Sequence, residues 1–437
     1  MDLLLEVRIG IVIKRIGGED GVALEAEKWI EVLERMSHEV FLLSGEFEKN
    51  ILDEQHQEIM KEFSLLSKEN WWEQEKAFIS PDENSIEIVN HIEEKSEKIA
   101  EKIIEWMGRN NIDLFITENA SALPVNLSMS FGIKKAVERT GIRTITHDHD
   151  FYWERGERYL SSHEAVNEIV RESIPLKLPN VVNVVINYSA QKILQEKYNL
   201  SETVVIPNVM DFNKKVNDKC IREFPDTFGL DRGDIILLQP TRVVRRKGIE
   251  TAIELVHKLN DKKIKLFITG NDKDENNGSR SYYKKLRYLI RKFKLEKQVI
   301  FAGRKIKGFS LFDVYACANS CTYFSDYEGF GNAFIEAVFA KKPIFVNNYK
   351  PIFWSGIGSK GFKIVMIEDN ILTDEAVEKI KKVIYNGALR REIGEYNFEI
   401  GKKYFSYEVL REKLEEVFDM LRDKDEQAAP QLTPQNP

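Results

Sequence analysis

The chain has 437 residues, 43% of them hydrophobic, which is enough to bury the cores of two or three domains and excludes a disordered protein. Lysine and arginine number 64 against 71 acidic residues, and this net charge of −7 argues against nonspecific nucleic-acid binding. The sequence has three cysteines with no Cys-x-x-Cys pair, no signal-peptide pattern, and no apolar run near the roughly 20 residues that span a bilayer. These features predict a cytoplasmic protein without a transmembrane segment.

Strands and helices alternate through the first half of the chain. The predicted strands are Arg8–Lys14, Glu39–Leu43, Leu114–Thr117, Thr144–Thr146, Val181–Asn187 and Val204–Ile206, and the clearest helices are Val22–Arg35 and Leu123–Thr140. The first strand is a continuous apolar run, which is typical of parallel strands covered on both faces. The charged segment 48–110 has a helical pattern, with an irregular section predicted around Trp71 and Trp72. Repeated β–α units predict a doubly wound parallel sheet.

A second β–α series follows a predicted hinge at Ile206–Val209 and a connector at Asn213–Asp234. Its predicted strands are Ile235–Gln239, Lys265–Thr269, Val299–Phe301, Thr322–Phe324, Ile344–Val346 and Phe362–Ile367. A helix is predicted at Tyr404–Leu421. The Pro- and Gln-rich end of the chain, 426–437, is predicted to be disordered.

The segment Ser325–Ala337, SDYEGFGNAFIEA, carries the strongest functional signal. Glu328 lies in a Gly-rich turn, and Glu336 follows eight residues later, which brings a helical side chain back toward the same face. Gly329 and Gly331 allow the backbone to approach a ligand and leave N–H groups free at a helix start. Two carboxylates placed in this way can bind the hydroxyl groups of a polyol.

Two basic residues follow an earlier strand of the same half. In the segment TRVVRRKG, Arg242 and Lys247 are a pair suited to a diphosphate. Carboxylates that bind hydroxyls, combined with cations that bind a diphosphate, suggest a nucleotide sugar as ligand. Because either motif alone also occurs on ordinary surface helices and loops, the prediction depends on their joint presence in this order.

The order Arg-x4-Lys and then Glu-Gly-Phe-Gly-x4-Glu resembles the retaining GT-B glycosyltransferases of family GT4, over roughly residues 7–420. The resemblance implies an α/β protein of two Rossmann-like doubly wound domains facing each other across a cleft. An acceptor-binding domain would comprise 1–208 and be completed by the helix 404–421, and a nucleotide-sugar-binding domain would comprise 209–400. A homodimer is compatible with this organisation.

The same resemblance implies roles for individual residues. Catalytic roles fall to His147, Arg242, Lys247 and Glu328. Donor binding falls to Gly17, Gly18, Arg242, Lys247, Glu328, Gly329, Phe330, Gly331, Asn332 and Glu336, with Glu336 on the ribose. Acceptor binding falls to Glu19, Asp20, Gly21, Glu118, Asn119, His149 and Asp150. No metal and no cofactor is implied, since the two basic residues neutralise the diphosphate.

Alternatives remain for three of these segments. Gly17–Gly21 can be a plain strand-to-helix turn; it is not GxGxxG, which disfavours a nicotinamide site. Asn119 can be a helix N-cap. In the segment His147–Asp150, the two aspartates can form the metal-binding DxD of GT-A enzymes, and the two histidines can bind zinc. The first is disfavoured by the GT-B signals and the second because no third ligand is evident nearby.

The combination of ENxxxLPxN, HDHDFYWER and the Gly-rich segment resembles a GT4 subgroup that contains mannosylglucosylglycerate synthase and makes compatible solutes. The expected donor is GDP-mannose, slightly ahead of UDP-glucose, and the expected acceptor is a small hydroxylated molecule such as glucosylglycerate. Alternatives are a glycosyltransferase of cell-surface polysaccharide or glycolipid synthesis, and a protein that binds a sugar nucleotide without turnover.

Overall fold

The computed structural model describes residues 7–18, 20–214, 223–231, 233–270, 277–303 and 309–428. The chain divides into two compact units. The first runs to Asn208 and resumes at Tyr407, and the second is Val209–Ser406. Among the described residues, no helix combines the length and the apolar character that crossing a bilayer requires.

The first unit is built on a seven-stranded, fully parallel sheet. Its strands are β1 (Arg8–Ile13), β2 (Glu39–Ser44), β3 (Gln57–Ile59), β4 (Leu114–Glu118), β5 (Arg143–Asp148), β6 (Val181–Val185) and β7 (Val204–Val205). The strand order is β3-β2-β1-β4-β5-β6-β7. Since β1, β4 and β5 are neighbours and all parallel, the loops that follow their carboxyl ends meet at one edge of the sheet.

The helices of this unit before its last one are α1 (Gly21–Arg35), α2 (Lys68–Gln74), α3 (Ile86–Arg109), α4 (Leu127–Thr140), α5 (Glu164–Ser173) and α6 (Tyr188–Tyr198). Two expectations are wrong here. The section around Trp71 and Trp72 is the helix α2, which starts at a Ser67 cap that accepts a hydrogen bond from Asn70 N. The helix α4 starts at Leu127 rather than at Leu123, because Asn126 caps it through a 3.0 Å bond from Met129 N.

The second unit contains a six-stranded parallel sheet of order β10-β9-β8-β11-β12-β13. Its strands are β8 (Ile235–Gln239), β9 (Ile264–Ile268), β10 (Val299–Phe301), β11 (Ser320–Tyr323), β12 (Ile344–Asn347) and β13 (Val365–Ile367). Its helices are α7 (Glu223–Phe228), α8 (Ile249–Leu259), α9 (Asn277–Lys292), α10 (Leu311–Cys317), α11 (Asn332–Phe339), α12 (Ile352–Gly356), α13 (Asp374–Tyr385) and α14 (Gly387–Phe405). The predicted connector therefore contains a short helix, and β8 and β11 are adjacent strands whose following loops lie side by side.

The last helix, α15 (Tyr407–Ala428), belongs to the first unit. Its Tyr407 hydroxyl donates a 3.0 Å hydrogen bond to Glu31 of α1. The predicted single helix from Tyr404 is in fact two helices, since α14 ends at Phe405 and Ser406 has an extended conformation between them. The helix also continues into the predicted tail as far as Ala428, and 429–437 lie outside the described residues.

Candidate active site

A buried lysine follows β8 in the second unit. The segment after this strand ends in a single 3-10 turn, Arg245–Lys247, which places the Lys247 side chain inside the protein and leaves Arg242 exposed. Burial lowers the pKa of Lys247, while the charge of Glu328 opposes that shift. Of the two residues predicted to bind a diphosphate, Lys247 is therefore a buried cation beside a carboxylate, and Arg242 is an exposed cation on the same loop.

Glu328 is held by two cations. Its Oε1 is ion-paired with Lys247 Nζ, and its Oε2 lies 2.8 Å from Arg246 NH1. Arg246 also donates a 2.8 Å hydrogen bond to the Tyr327 carbonyl. Burial alone would raise the pKa of Glu328, but Lys247 and Arg246 outweigh it and lower the pKa, so the carboxylate is ionised at neutral pH. Sequence reasoning missed Arg246, because the run of three basic residues does not show which of them turn inward.

The Gly-rich turn that follows Glu328 has a backbone that only glycine adopts readily. Gly331 has φ +138°, and a Cβ there would lie 2.4 Å from the Tyr349 hydroxyl. That hydroxyl donates a 2.8 Å hydrogen bond to the Phe330 carbonyl, while the Phe330 ring is buried against Phe405. The turn is thus fixed from behind by Tyr349 before α11 begins at Asn332.

Glu336 is partly buried on α11 and is positioned by a buried tyrosine. Tyr315 donates a 2.8 Å hydrogen bond to Glu336 Oε2 and a 3.2 Å bond to the Ala333 carbonyl. Burial, together with the neighbouring Glu336 charge, raises the pKa of Tyr315 well above its usual value, so the hydroxyl keeps its proton and remains a donor. The two predicted carboxylates are therefore positioned differently: Glu328 by ion pairs with basic residues, and Glu336 by a hydrogen bond from a tyrosine.

In the first unit, a carboxylate and an imidazole meet where β4 and β5 end. Glu118 and His147 are paired in register, and His147 Nδ1 lies 2.7 Å from Glu118 Oε1. The His147 ring is stacked on Trp29 of α1 at 4.0 Å and lies 4.5 Å from the His149 ring. Burial lowers the pKa of His147 to about 3 and raises the pKa of Glu118 to about 7. His147 is thus a neutral ring that donates from Nδ1 when Glu118 is ionised.

Glu118 also corrects the expectation that the two histidines lack a third partner. One potential ligand atom from each of Glu118, His147 and His149 lies within 4.8 Å of the other two, and all three residues are buried. The β4–β5 pairing brings residues 29 positions apart in the chain into contact, which the local spacing of the histidines could not indicate. Among the residues that the structure describes, these three form a group that could hold a metal ion.

Asn119 connects the loops that follow β4 and β5. It has a left-handed backbone conformation, with φ +48°, and its Oδ1 accepts a 3.1 Å hydrogen bond from His149 N. Its Nδ2 donates to Asp150 Oδ1 at 3.3 Å, and Asp150 is ion-paired with Arg155. The alternative role of Asn119 as a helix cap is wrong, because Asn126 caps α4.

Asp148 points away from the two histidines that flank it. It is buried, and it accepts hydrogen bonds of 3.3 and 3.4 Å from Ser121. Burial raises its pKa to about 7, although the Lys14 charge and its hydrogen bonds oppose this shift. Since Asp148 is enclosed in this way while Asp150 is partly exposed and paired with Arg155, the DxD alternative gains no support.

The loop after β1 packs on the loop after β2. Gly18 lies against the Glu48 carboxylate, and Gly17 lies against the Lys49 backbone. Asp20 caps α1, accepting a 3.1 Å bond from Ala23 N, and Gly21 is the exposed first residue of that helix. Glu19 lies outside the described residues. These contacts explain the loop by packing and capping alone, and its contribution to substrate binding stays a prediction.

Lys14 is a buried cation of the first unit, and its lowered pKa predicts a pH-dependent stability. Its ammonium donates to the Asn119 carbonyl at 2.6 Å, and burial lowers its pKa to about 8. Between about pH 8 and pH 10.5 the unfolded chain binds this proton and the folded chain does not, so the stability of the parent rises with pH. Relative to Lys14→Met, we expect the parent to gain about 1.4 kcal/mol per pH unit in this window.

Thermal melts of the parent and of Lys14→Met between pH 7.5 and 10.5 would measure this effect. Lys262→Met removes an exposed lysine at the amino end of β9, and its melting temperature should stay at a constant offset from the parent. A constant offset for Lys14→Met as well would show that the folded protein does not lower the pKa of Lys14.

Comparisons with known proteins agree with this organisation. The family model for glycosyl transferases group 1 matches residues 221–399. The chain is 32% identical to mannosylglucosylglycerate synthase of Thermotoga maritima, covering 93% of this chain and 99% of that protein. It is also 32% identical to the enzyme of the same name from Petrotoga mobilis, covering 83% and 86% respectively.

Solved structures resemble the whole chain at lower sequence identity. A glycosyltransferase from Rickettsia africae has a TM-score of 0.67 at 16% identity, covering 95% of this chain and 99% of that one. Sucrose-phosphate synthase from Thermosynechococcus elongatus has a TM-score of 0.65 at 14% identity, covering 96% and 100%. The Anabaena protein HepE in complex with UDP and glucose has a TM-score of 0.64 at 16% identity, covering 95% and 100%. At these identities the likeness shows a shared fold.

Proposed function

The chain belongs to the group 1 glycosyltransferases, and we propose that it transfers a hexose, with retention of configuration, from a nucleoside-diphosphate sugar to a small hydroxylated acceptor. The proposed donor is GDP-mannose and the proposed acceptor is a glycosyl-glycerate such as glucosylglycerate, in line with the name of the relatives that are 32% identical. The observation that carries the proposal is the pairing of buried Lys247 with Glu328 directly before the Gly-rich turn.

The donor is proposed to bind at the loops after β8 and β11. Lys247 and Arg242 would face the diphosphate, and Lys247 can do so while keeping Glu328, because an ammonium group has three N–H donors. Glu328 and the N–H groups of Gly329–Gly331 would bind the sugar hydroxyls, and Glu336 would bind the ribose. Arg246 and Tyr315 would hold the two carboxylates in place.

The acceptor is proposed to bind at the edge of the first unit where β4 and β5 end. His149 and Asp150 lie beside Glu118 and Asn119 there, a set of hydrogen-bonding groups suited to hydroxyls. In the proposed step, the bond between the sugar C1 and the diphosphate oxygen breaks while the acceptor oxygen bonds C1 from the same face. The acceptor proton moves to a diphosphate oxygen, so the protein contributes positioning and charge stabilisation.

This function is tested by incubating the protein with GDP-mannose or UDP-glucose and a panel of acceptors, with products identified by mass spectrometry. We expect transfer from GDP-mannose to glucosylglycerate, and an α-anomeric product by NMR from the α-linked donor. Neither transfer nor donor hydrolysis with any combination would support a protein that binds the sugar nucleotide without turnover. Transfer to a lipid or polysaccharide acceptor only would favour the cell-surface alternative.

We further propose that the reaction needs no metal, because Arg242 and Lys247 supply the positive charge that a bridging Mg²⁺ or Mn²⁺ supplies elsewhere. Activity should survive exhaustive EDTA treatment and should not increase when Mn²⁺ is returned. Loss of activity with EDTA, reversed by Mn²⁺, would contradict this proposal. Parallel thermal melts would show whether EDTA affects folding instead.

A further inference from the structure

Glu118, His147 and His149 form a buried cluster of potential metal ligands, an arrangement that sugar transfer alone does not explain. One carboxylate and two imidazoles lie with potential ligand atoms within 4.8 Å of one another. The three side chains are 0%, 1% and 7% exposed, respectively. His149 Nε2 is 3.6 Å from Glu118 Oε2, while ligands bound to one zinc ion in tetrahedral geometry are roughly 3.3 Å apart. The separations exceed the tetrahedral value by at most about 1.5 Å, which side-chain rotation of Glu118 and His149 would have to close around an ion.

Each member of the cluster also has an atom with unused bonding capacity. Glu118 Oε2, His147 Nε2 and His149 Nε2 are buried and have no hydrogen-bond partner within the part of the chain that the structure describes. Leaving one such atom unsatisfied costs about 1–3 kcal/mol. A cation bound to these three atoms would satisfy them.

The surroundings favour a cation. Glu25, also buried, contributes negative charge near His147 and Glu118, although it is paired with Lys28 at 2.8 Å. The Lys14 ammonium is bonded to the Asn119 carbonyl and its charge acts on Asp148, which points away from the histidines. The Trp29 ring stacked on His147 restricts how that imidazole can turn.

We propose that Glu118, His147 and His149 form a binding site for a single divalent transition-metal ion of the zinc type. Two imidazoles and one carboxylate are a donor set that suits such ions, whereas Mg²⁺ and Ca²⁺ prefer sites made of oxygen atoms. Three protein ligands leave a coordination position open for water or for a hydroxyl of a bound molecule. Because the catalytic step proposed above does not use this ion, its binding is expected to inhibit transfer by withdrawing Glu118 and His149 from the acceptor; that consequence rests on the proposed function.

The site is tested on the full-length, EDTA-treated protein by calorimetric titration with Zn²⁺ and by the visible absorption of bound Co²⁺. We expect one ion per chain, without a thiolate-to-cobalt charge-transfer band, which separates this site from binding at cysteine. The variants His149→Gln and Glu118→Gln should each weaken binding by about 100-fold or more. The control His257→Gln removes an exposed histidine of α8 and should bind as the parent does.

Absence of stoichiometric binding by the parent would overturn the proposal, and so would unchanged affinity in both cluster variants when circular dichroism shows them folded. Zinc should also raise the melting temperature of the parent but not of the two variants. The binding measurement involves no turnover, so its failure is distinct from failure of the proposed function. Binding without inhibition of transfer would establish the site and contradict the acceptor-binding role proposed for Glu118 and His149.

Discussion

Lys247→Ala is expected to reduce kcat/KM by about 10²–10³-fold, because it removes a fixed cation from the group proposed to stabilise the departing diphosphate. It should also lower the melting temperature, since Glu328 is buried and would keep only Arg246 as its charged partner. Removing one member of a buried ion pair costs about 3–5 kcal/mol. Steady-state kinetics and thermal melts on the same preparations would measure both effects.

The double variant Lys247→Ala/Glu328→Gln separates stability from function. Neutralising the carboxylate removes a buried charge that has lost one of its two partners, so the double variant should recover much of the melting temperature while its activity stays low. Lys262→Ala, at the amino end of β9, is the control for loss of a lysine and should match the parent in both measurements.

Arg242→Ala should show a similar loss of kcat/KM without a change in melting temperature, since the Arg242 side chain is exposed. The contrast with Lys247→Ala follows from burial, because an exposed cation contributes little to stability but can still contact a bound phosphate. If Arg242→Ala and Lys247→Ala both stay within tenfold of the parent, the assignment of a diphosphate to this loop is wrong.

The fold could be predicted because the strands are apolar, parallel and separated by helices, which leaves few other arrangements. The GT-B fold and the resemblance to group 1 glycosyltransferases are confirmed by structures and relatives that cover nearly the whole chain. The elements that were not predicted have few local sequence features that indicate them. β3 (Gln57–Ile59) is a three-residue edge strand in a charged segment, and the break at Ser406 has neither glycine nor proline.

At the site, the residue types could be predicted but their partners could not. Glu118 and His147 each directly follow a predicted strand of the first half of the chain, and the β4–β5 pairing joins them. Which side chains touch depends on strand register and rotamers, which a single sequence does not encode locally. For that reason Arg246 at Glu328, Tyr315 at Glu336 and Trp29 at His147 had no sequence signal of their own.

Gly248→Ala is expected to lower stability more than Lys247→Ala or Arg242→Ala. Gly248 follows Lys247 directly and has φ +58°, and a Cβ at this position would lie 1.9 Å from the Phe324 carbonyl oxygen. That carbonyl follows β11 and leads toward Glu328, so the glycine is where the loop carrying Lys247 packs against the segment carrying its partner. The clash involves backbone on both sides, and neither can rotate away.

Gly229→Ala is the matched control for this substitution. Gly229 has nearly the same conformation, with φ +64°, but open space where its Cβ would be. It should therefore lose only the roughly 1–2 kcal/mol that a left-handed conformation costs an alanine, with kcat/KM unchanged. Gly248→Ala should lose clearly more in chemical denaturation and should also lose activity, because relief of the clash moves Lys247 away from Glu328. Equal losses of stability in the two variants would mean that the close approach of the two loops does not contribute to holding the pair.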